Sequence, residues 1–128
     1  MYHVFYFNGD ANKISWCIQT DNSKVRQNRT HVEIYKNKVT NIQSKYVALH
    51  VGLFWGIGVF IIKNKDSVKI MFDEKEMYDH FTTDRKIEDE FMLEKMRFIK
   101  QLIKQRELKI KFQEIKPDEN LSIKNTSY

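Results

Sequence analysis

The feature that most restricts how this chain can fold is the run Tyr46–Ile62 (YVALHVGLFWGIGVFII), 17 residues without a formal charge. That length touches the lower limit for a membrane span, which needs about 20 apolar residues. The interior of the run argues for another home. His50, Gly52, Gly56 and Gly58 interrupt it, and lysines stand at both ends, Lys45 and Lys63, so no charge asymmetry would orient a span. The remaining place for such a segment is a protein core, as a helix covered by other elements. Thr40-Asn41 offers an N-cap just ahead of it. The predicted helix therefore runs roughly from Ile42 to Gly58, and no membrane contact is expected.

The flanking sequence supplies the cover. Met1–Phe7 and Ile14–Thr20 read as strands, separated by the turn signal Asn8-Gly9-Asp10. Asp21–Arg29 is polar and reads as a loop, and Thr30–Tyr35 (THVEIY) alternates like a third strand. After the helix, Ser67–Phe72 is a fourth strand and Glu74–Thr83 a short helix. Lys86–Arg106 is amphipathic, with Ile87, Phe91, Met96, Ile99 and Ile103 on one face. Leu108–Ile115 is a fifth strand, and 117–128 is read as a short terminal helix or a partly disordered tail. Three strands in succession predict an antiparallel meander, and strand–helix–strand predicts a right-handed parallel crossover. The fold class expected is α/β: one domain over 1–128, with a five-stranded mixed sheet (strands 1–3 antiparallel, 4–5 parallel) and helices on its faces.

Composition narrows the function classes. A single cysteine, Cys17, excludes a disulfide framework and a zinc–thiolate cluster, and the N-terminus lacks the pattern of a signal peptide. An intracellular setting, cytoplasmic or nuclear, is expected. The net charge of +5, from 22 basic and 17 acidic residues, admits nucleic acid or an acidic partner, although solvated lysine faces give the same balance. His3, His31, His50 and His80 fall on different elements with no metal-ligand spacing. Gly56-Ile57-Gly58 ends a helix where a phosphate loop would open one.

The order of elements and four local motifs resemble the ribonuclease H family, especially its reverse-transcriptase-associated branch, and a viral or mobile-element origin is compatible with that branch. The fullest match is TNIQSKYVALHVGL, Thr40 to Leu53. It is similar to the branch's helix signature, in which Thr-Asn opens the helix and Glu-Tyr-x-Ala-Leu-x-x-Gly-Leu follows. FYFNGDANK looks like the first strand and its turn, VKIMFDEKEMYDHF like the fourth strand, and KFQEIKPDENLSIK like the last strand and the approach to a final helix, with Asn120 on a family Asn.

The resemblance implies hydrolysis of the RNA strand of an RNA–DNA hybrid with two Mg²⁺ held by four carboxylates. Carried over singly, those carboxylates fall on Asn8, Lys45, Asp73 and Lys124, a formal sum of +1 where the family has −4. Asp73 is the remnant. The set reads as a dismantled metal site, with no cofactor expected. An active enzyme would have to recruit Asp10 beside Asp73, and Mg²⁺ with them. The favoured expectation is a catalytically inactive module that binds nucleic acid, hybrid or structured RNA, through its backbone, using Asn12, Lys13, Asn41, Gln43, Lys45 and Lys124. The alternative is a protein–protein scaffold or a homodimerisation domain.

Overall fold

The structure is a computed structural model and describes residues 1–123. Strand β1 (Tyr2–Gly9) alternates: His3, Phe5, Phe7 and Gly9 are buried, and the residues between them face the other way. It pairs antiparallel with β2 (Lys13–Thr20), placing Phe5 opposite Ile18 and Phe7 opposite Trp16. β2 pairs antiparallel with β3 (Ser23–Thr30). On the other side of β1 lies β4 (Ser67–Phe72), parallel to it, and then β5 (Lys109–Glu114), parallel to β4. The sheet order is β3-β2-β1-β4-β5.

One face of this sheet carries the core. Phe5, Phe7, Trp16, Ile18, Val68, Ile70 and Phe72 point from it into helix α1 (Asn41–Gly58), which buries Tyr46, Val47, Ala48, Leu49, Leu53 and Ile57 against them. Helix α2 (Lys75–Thr82) closes the β4–β5 end, where Phe81 meets Phe72 at 5.3 Å and Phe112 at 5.6 Å between ring centroids. Helix α3 (Glu90–Gln105) is laid over α1 through Met92, Met96 and Ile99. The uncharged run thus resolves into a helix on a sheet, and no helix among the described residues is long and apolar enough to cross a membrane.

Two elements differ from the sequence expectation. The third strand lies at Ser23–Thr30, almost wholly inside the Asp21–Arg29 segment read as a loop, and the THVEIY stretch after Thr30 is loop and turn that leave Val32 and Ile34 exposed. β3 is an edge strand held by its backbone ladder to β2, so its side chains need no apolar face; Lys24, Arg26 and Arg29 are the charged kind that blunt an edge. The signal overlooked is Asp21-Asn22, a two-residue turn with Asp21 at φ 52°. Helix α3 begins four residues later than Lys86, because the Asp89 carboxylate accepts from the Met92 N–H at 3.0 Å and caps it there.

Polar contacts pin the opposite end of the sheet from α1's start. Buried Asp66 takes the Met1 amino group at 3.1 Å, His3 Nε2 at 2.8 Å and the Lys63 N–H at 2.9 Å, and His3 Nδ1 is 2.6 Å from Thr20 Oγ1. Burial raises the Asp66 carboxyl, but these donors and the amino charge outweigh it and hold the group at about 2. A depressed carboxyl adds stability above its unfolded value, lost as pH falls toward the folded one. Acid titration of the unfolding free energy should show a loss on the order of 2 kcal/mol between about pH 5 and pH 2, absent in Asp66→Asn.

Glycines set the helix–sheet spacing. A Cβ at Gly52 would lie 2.7 Å from Phe5 Cζ and 2.9 Å from Trp16 Cγ, whereas one at Gly58 would meet nothing within 4 Å. Gly52→Ala should therefore cost about 1–3 kcal/mol in urea unfolding. Gly58→Ala, by the same measurement, should be neutral or stabilise by up to ~1 kcal/mol.

Candidate functional site

The site forms where β1 and β4 end side by side. Their parallel register pairs Tyr6 with Met71, and two residues further each chain carries Asn8 and Asp73 to the same edge. The start of α1 is fixed by a capping box: Gln43 N–H donates to Thr40 Oγ1 at 3.2 Å, and Thr40 N–H donates to Gln43 Oε1 at 2.9 Å. Gly9 allows the first turns of the helix to press onto β1, since a Cβ there would sit 2.7 Å from the Ser44 carbonyl oxygen. Lys45 is the next residue, and the approach brings it over the sheet edge.

There Lys45 Nζ lies 3.1 Å from Asp73 Oδ1 and 3.6 Å from Glu74 Oε2. The Asp73 side chain is 3% exposed and Lys45's is 14% exposed, so the pair is largely desolvated. The second carboxylate oxygen is also engaged: Asn120 Nδ2 donates to Asp73 Oδ2 at 2.9 Å and to the Phe7 carbonyl at 2.9 Å. Asn120 is fully buried, and its Oδ1 accepts from Ser122 N–H and Oγ. All four contacts agree on one orientation of the amide. They tie the segment after β5 to the ends of β1 and β4, and Ser15 Oγ and Arg26 Nε extend the tie to the carbonyls of Ser122 and Leu121.

The two-Mg²⁺ site that the resemblance implies needs convergent hard oxygen ligands. The described side chains do not fit it. An ammonium occupies the position on Asp73 Oδ1 that a cation would take, an amide N–H covers Oδ2, and Asn8 contributes no charge. Among the described residues no three His, Cys, Asp or Glu side chains gather as a ligand set. What the arrangement holds instead is a cation fixed on a carboxylate at a sheet edge.

The other residues singled out from the sequence scatter around this pair. Asp10 Oδ1 accepts the N–H groups of Asn12 and Lys13 at 2.8 and 2.9 Å, so that oxygen is engaged in the β1–β2 turn. Burial raises the Asp10 carboxyl; the two N–H donors and the charges of Lys13 and His31 outweigh that and lower it. Asn12, Lys13 and Asn41 are exposed. Gln43 is committed at both ends of its amide, since Nε2 also reaches Asp89 Oδ2 at 2.9 Å. Lys124 lies outside the described residues. The histidines away from the edge are each engaged locally. His31 Nε2 lies within hydrogen-bond reach of Ser44 Oγ and the Asp10 carbonyl, His80 Nδ1 meets Tyr46 Oη at 2.6 Å, and His50 stacks on Phe98 at 5.3 Å. Sequence reasoning missed Asn120 as the partner of Asp73. It also missed Lys36 and Lys38, which the Asn37 N–H to Ala11 carbonyl bond (2.8 Å) docks beside the β1–β2 turn. Their signal was local: two more lysines immediately before the Thr40 cap.

No protein-family model matches the sequence. No curated protein matches it either. Solved structures do. Ribonuclease H1 from the halophilic archaeon Halobacterium salinarum superposes with a TM-score of 0.77 at 16% identity, over 95% of this chain and 91% of that one. A ribonuclease H1 isolated from compost, solved with an RNA/DNA hybrid, gives 0.64 at 15% identity over 94% and 88%. The foamy viral protease-reverse transcriptase, solved with double-stranded DNA, gives 0.61 at 16% identity, over 97% of this chain and 22% of that one.

Breaking the buried pair from one side should cost more than removing it whole. Lys45→Met alone leaves Asp73 without a countercharge and should lower the unfolding free energy by on the order of 3 kcal/mol. In a double-mutant cycle with Asp73→Asn, the coupling should be ~1–3 kcal/mol. Additive effects would mean that the two charges do not interact.

Proposed function

We propose that this chain, which has the ribonuclease H-like fold, is a module that binds nucleic acid along its sugar–phosphate backbone without cleaving it. The observation that carries the reading is the Lys45–Asp73 contact at 3.1 Å. In two-metal hydrolysis one cation activates water while the other stabilises the leaving oxygen. An ammonium held between Asp73 and Glu74 has its charge met within the protein and activates no water. Asp73, itself fixed by Asn120, and Glu74 hold it in place. The contact thus carries the non-cleaving part of the reading, and phosphate contacts fall to exposed lysines such as Lys13 and Lys38.

Three things support nucleic acid as the ligand. Structures of the same fold have been solved with an RNA/DNA hybrid and with double-stranded DNA. Lys13 and Lys38 are exposed on the β1–β2 turn and on the loop that the Asn37 N–H to Ala11 carbonyl bond joins to it, and Asn12 and Asn41 are exposed as well. The chain's net charge is +5. Phosphate contacts of this kind position a duplex without reading its sequence, so hybrid and structured RNA fall in the same class of ligand.

Fluorescence anisotropy with an RNA–DNA hybrid should show binding that weakens steeply with salt. If about three phosphates are neutralised, affinity falls ~40-fold between 50 and 200 mM salt. Lys13→Ala, on the exposed turn, should reduce the salt slope by about one. Affinity that is flat over this range would remove the electrostatic reading.

Purified wild type should leave hybrid intact in millimolar Mg²⁺, and Mg²⁺ should not raise its Tm through a saturable site. Single changes Asn8→Asp or Lys45→Glu should not create hydrolysis, because catalytic groups that act as a unit lose most of their value when one is missing. The triple change Asn8→Asp, Lys45→Glu, Lys124→Asp restores four carboxylates and is the variant in which slow Mg²⁺-dependent cleavage is expected. Cleavage by the wild type that disappears in Asp10→Asn would overturn the proposal in favour of a nuclease using Asp10 and Asp73.

A further inference from the structure

At the far end from Lys45, helix α1 ends on a non-glycine residue in the left-handed region, as α3 does at Glu107. Phe60 N–H donates to the Ile57 carbonyl at 3.1 Å and Ile61 N–H to the Gly56 carbonyl at 3.0 Å, the paired bonds of a Schellman C-terminus. That motif requires its C′ residue in the left-handed region, where glycine is favoured because an L side chain is strained there. Here the residue is Phe60, at φ 65°. Burial does not compensate the strain, since Phe60 is 76% exposed. Phe54 (62%) and Val59 (44%) stand exposed nearby, so the end of α1 presents an apolar ridge to solvent.

The ridge has a groove on each side. One, of about 670 Å³, runs between Phe60, Ile61, Ile18, Val25 and Lys63. The other, of about 470 Å³, lies between Phe60, Phe54, Ile57, Ile62 and Arg106. The rim is mainly basic. Lys63 borders both grooves, and the Lys65 N–H to Arg106 carbonyl bond (2.9 Å) joins the main chains of two further basic residues beside it. Asp21 on the first groove, Glu107 beside Arg106, and buried Asp66, which is taken up by the Met1 amino group and His3, are the acids in this neighbourhood.

We propose that this ridge and its grooves dock a protein segment that presents apolar side chains flanked by carboxylates. Charge complementarity selects that occupant. A second copy of this chain, meeting ridge to ridge, would bring Lys63, Lys65 and Arg106 against themselves. Single-stranded nucleic acid would suit Phe60 and the lysines, but it leaves exposed Val59 and the half-buried Val25 and Ile61 without use. Side chains seated in paired apolar grooves, with acids at the rim, use every group present. The docking face is separate from the Lys45–Asp73 edge and does not depend on its function.

The test is selection of a phage-displayed library of random 16-residue peptides on the full chain. The decisive variant is Phe60→Gly, which relieves the left-handed strain and so should melt at or above the wild-type temperature. The expected consensus carries two or more large apolar residues with flanking Asp or Glu. A synthetic peptide of that consensus should bind Phe60→Gly at least tenfold more weakly and Lys63→Glu/Lys65→Glu several-fold more weakly, while hybrid binding by Phe60→Gly stays at the wild-type level. Three results would overturn the proposal: a consensus that is basic or indifferent to Phe60, a wild-type dimer in sedimentation that Phe60→Gly abolishes, or a 15-nucleotide oligothymidine whose binding is lost in Phe60→Gly.

Discussion

Helix α1 presses onto the sheet where glycines leave no room for a side chain of their own, Gly9 against Ser44 and Gly52 against the rings of Phe5 and Trp16. Nearly everything else follows from that closeness. A core at organic-crystal density tolerates neither an added methyl group nor a gap. The rotation and depth of α1 are therefore set by β1 and β2 and not by its own weakly sided surface. Once set, they put Tyr46 against His80 and Phe81 of α2, Leu49 and Leu53 in the core, and Lys45 over the edge at the end of β4. His31 strengthens the same approach from the loop side, bridging the β1–β2 turn and Ser44.

At that edge the fold holds a carboxylate almost wholly out of water and sets a cation against it. Lysine is an internal answer to the demand that a bound metal would answer from outside. An internal cation is always present, so Asp73 is neutralised in the folded state without any ligand. The cost is chemical: an ammonium has no open coordination position. Asn120 belongs to the same solution. It satisfies the other oxygen of Asp73 and the end of β1 at once, and the segment after β5 is anchored across the sheet by this single buried amide.

The two ends of α1 thus differ in kind. At its start, polar groups are paired and buried around a fixed charge. Its finish spends backbone strain at Phe60 on a side chain left in water. A fold gains nothing by itself from an exposed aromatic in the left-handed region, whereas a paired charge at a sheet edge stabilises the fold that holds it.

How much of this could be read in advance depends on where each signal is stored. Helix α1 and strand β4 were legible almost to the residue, since Thr40 caps the one and alternation with a terminal Asp marks the other. The mixed five-stranded topology followed from element order. β3 was not legible, because an edge strand is fixed by backbone bonds to its neighbour, and these leave no trace in its polar side chains. THVEIY misled for the converse reason: local alternation has no force when no sheet is there to receive it. The charge set Asn8, Lys45, Asp73 could be named from the sequence only through a resemblance. That Lys45 reaches Asp73, 28 residues away, and that Asn120 closes the other oxygen, 47 residues further on, was decided by the tertiary structure. Periodicity and caps act over a few residues and are written in order along the chain. Contacts at a sheet edge are set by how closely a helix is allowed to approach, and that distance exists only once the core is packed.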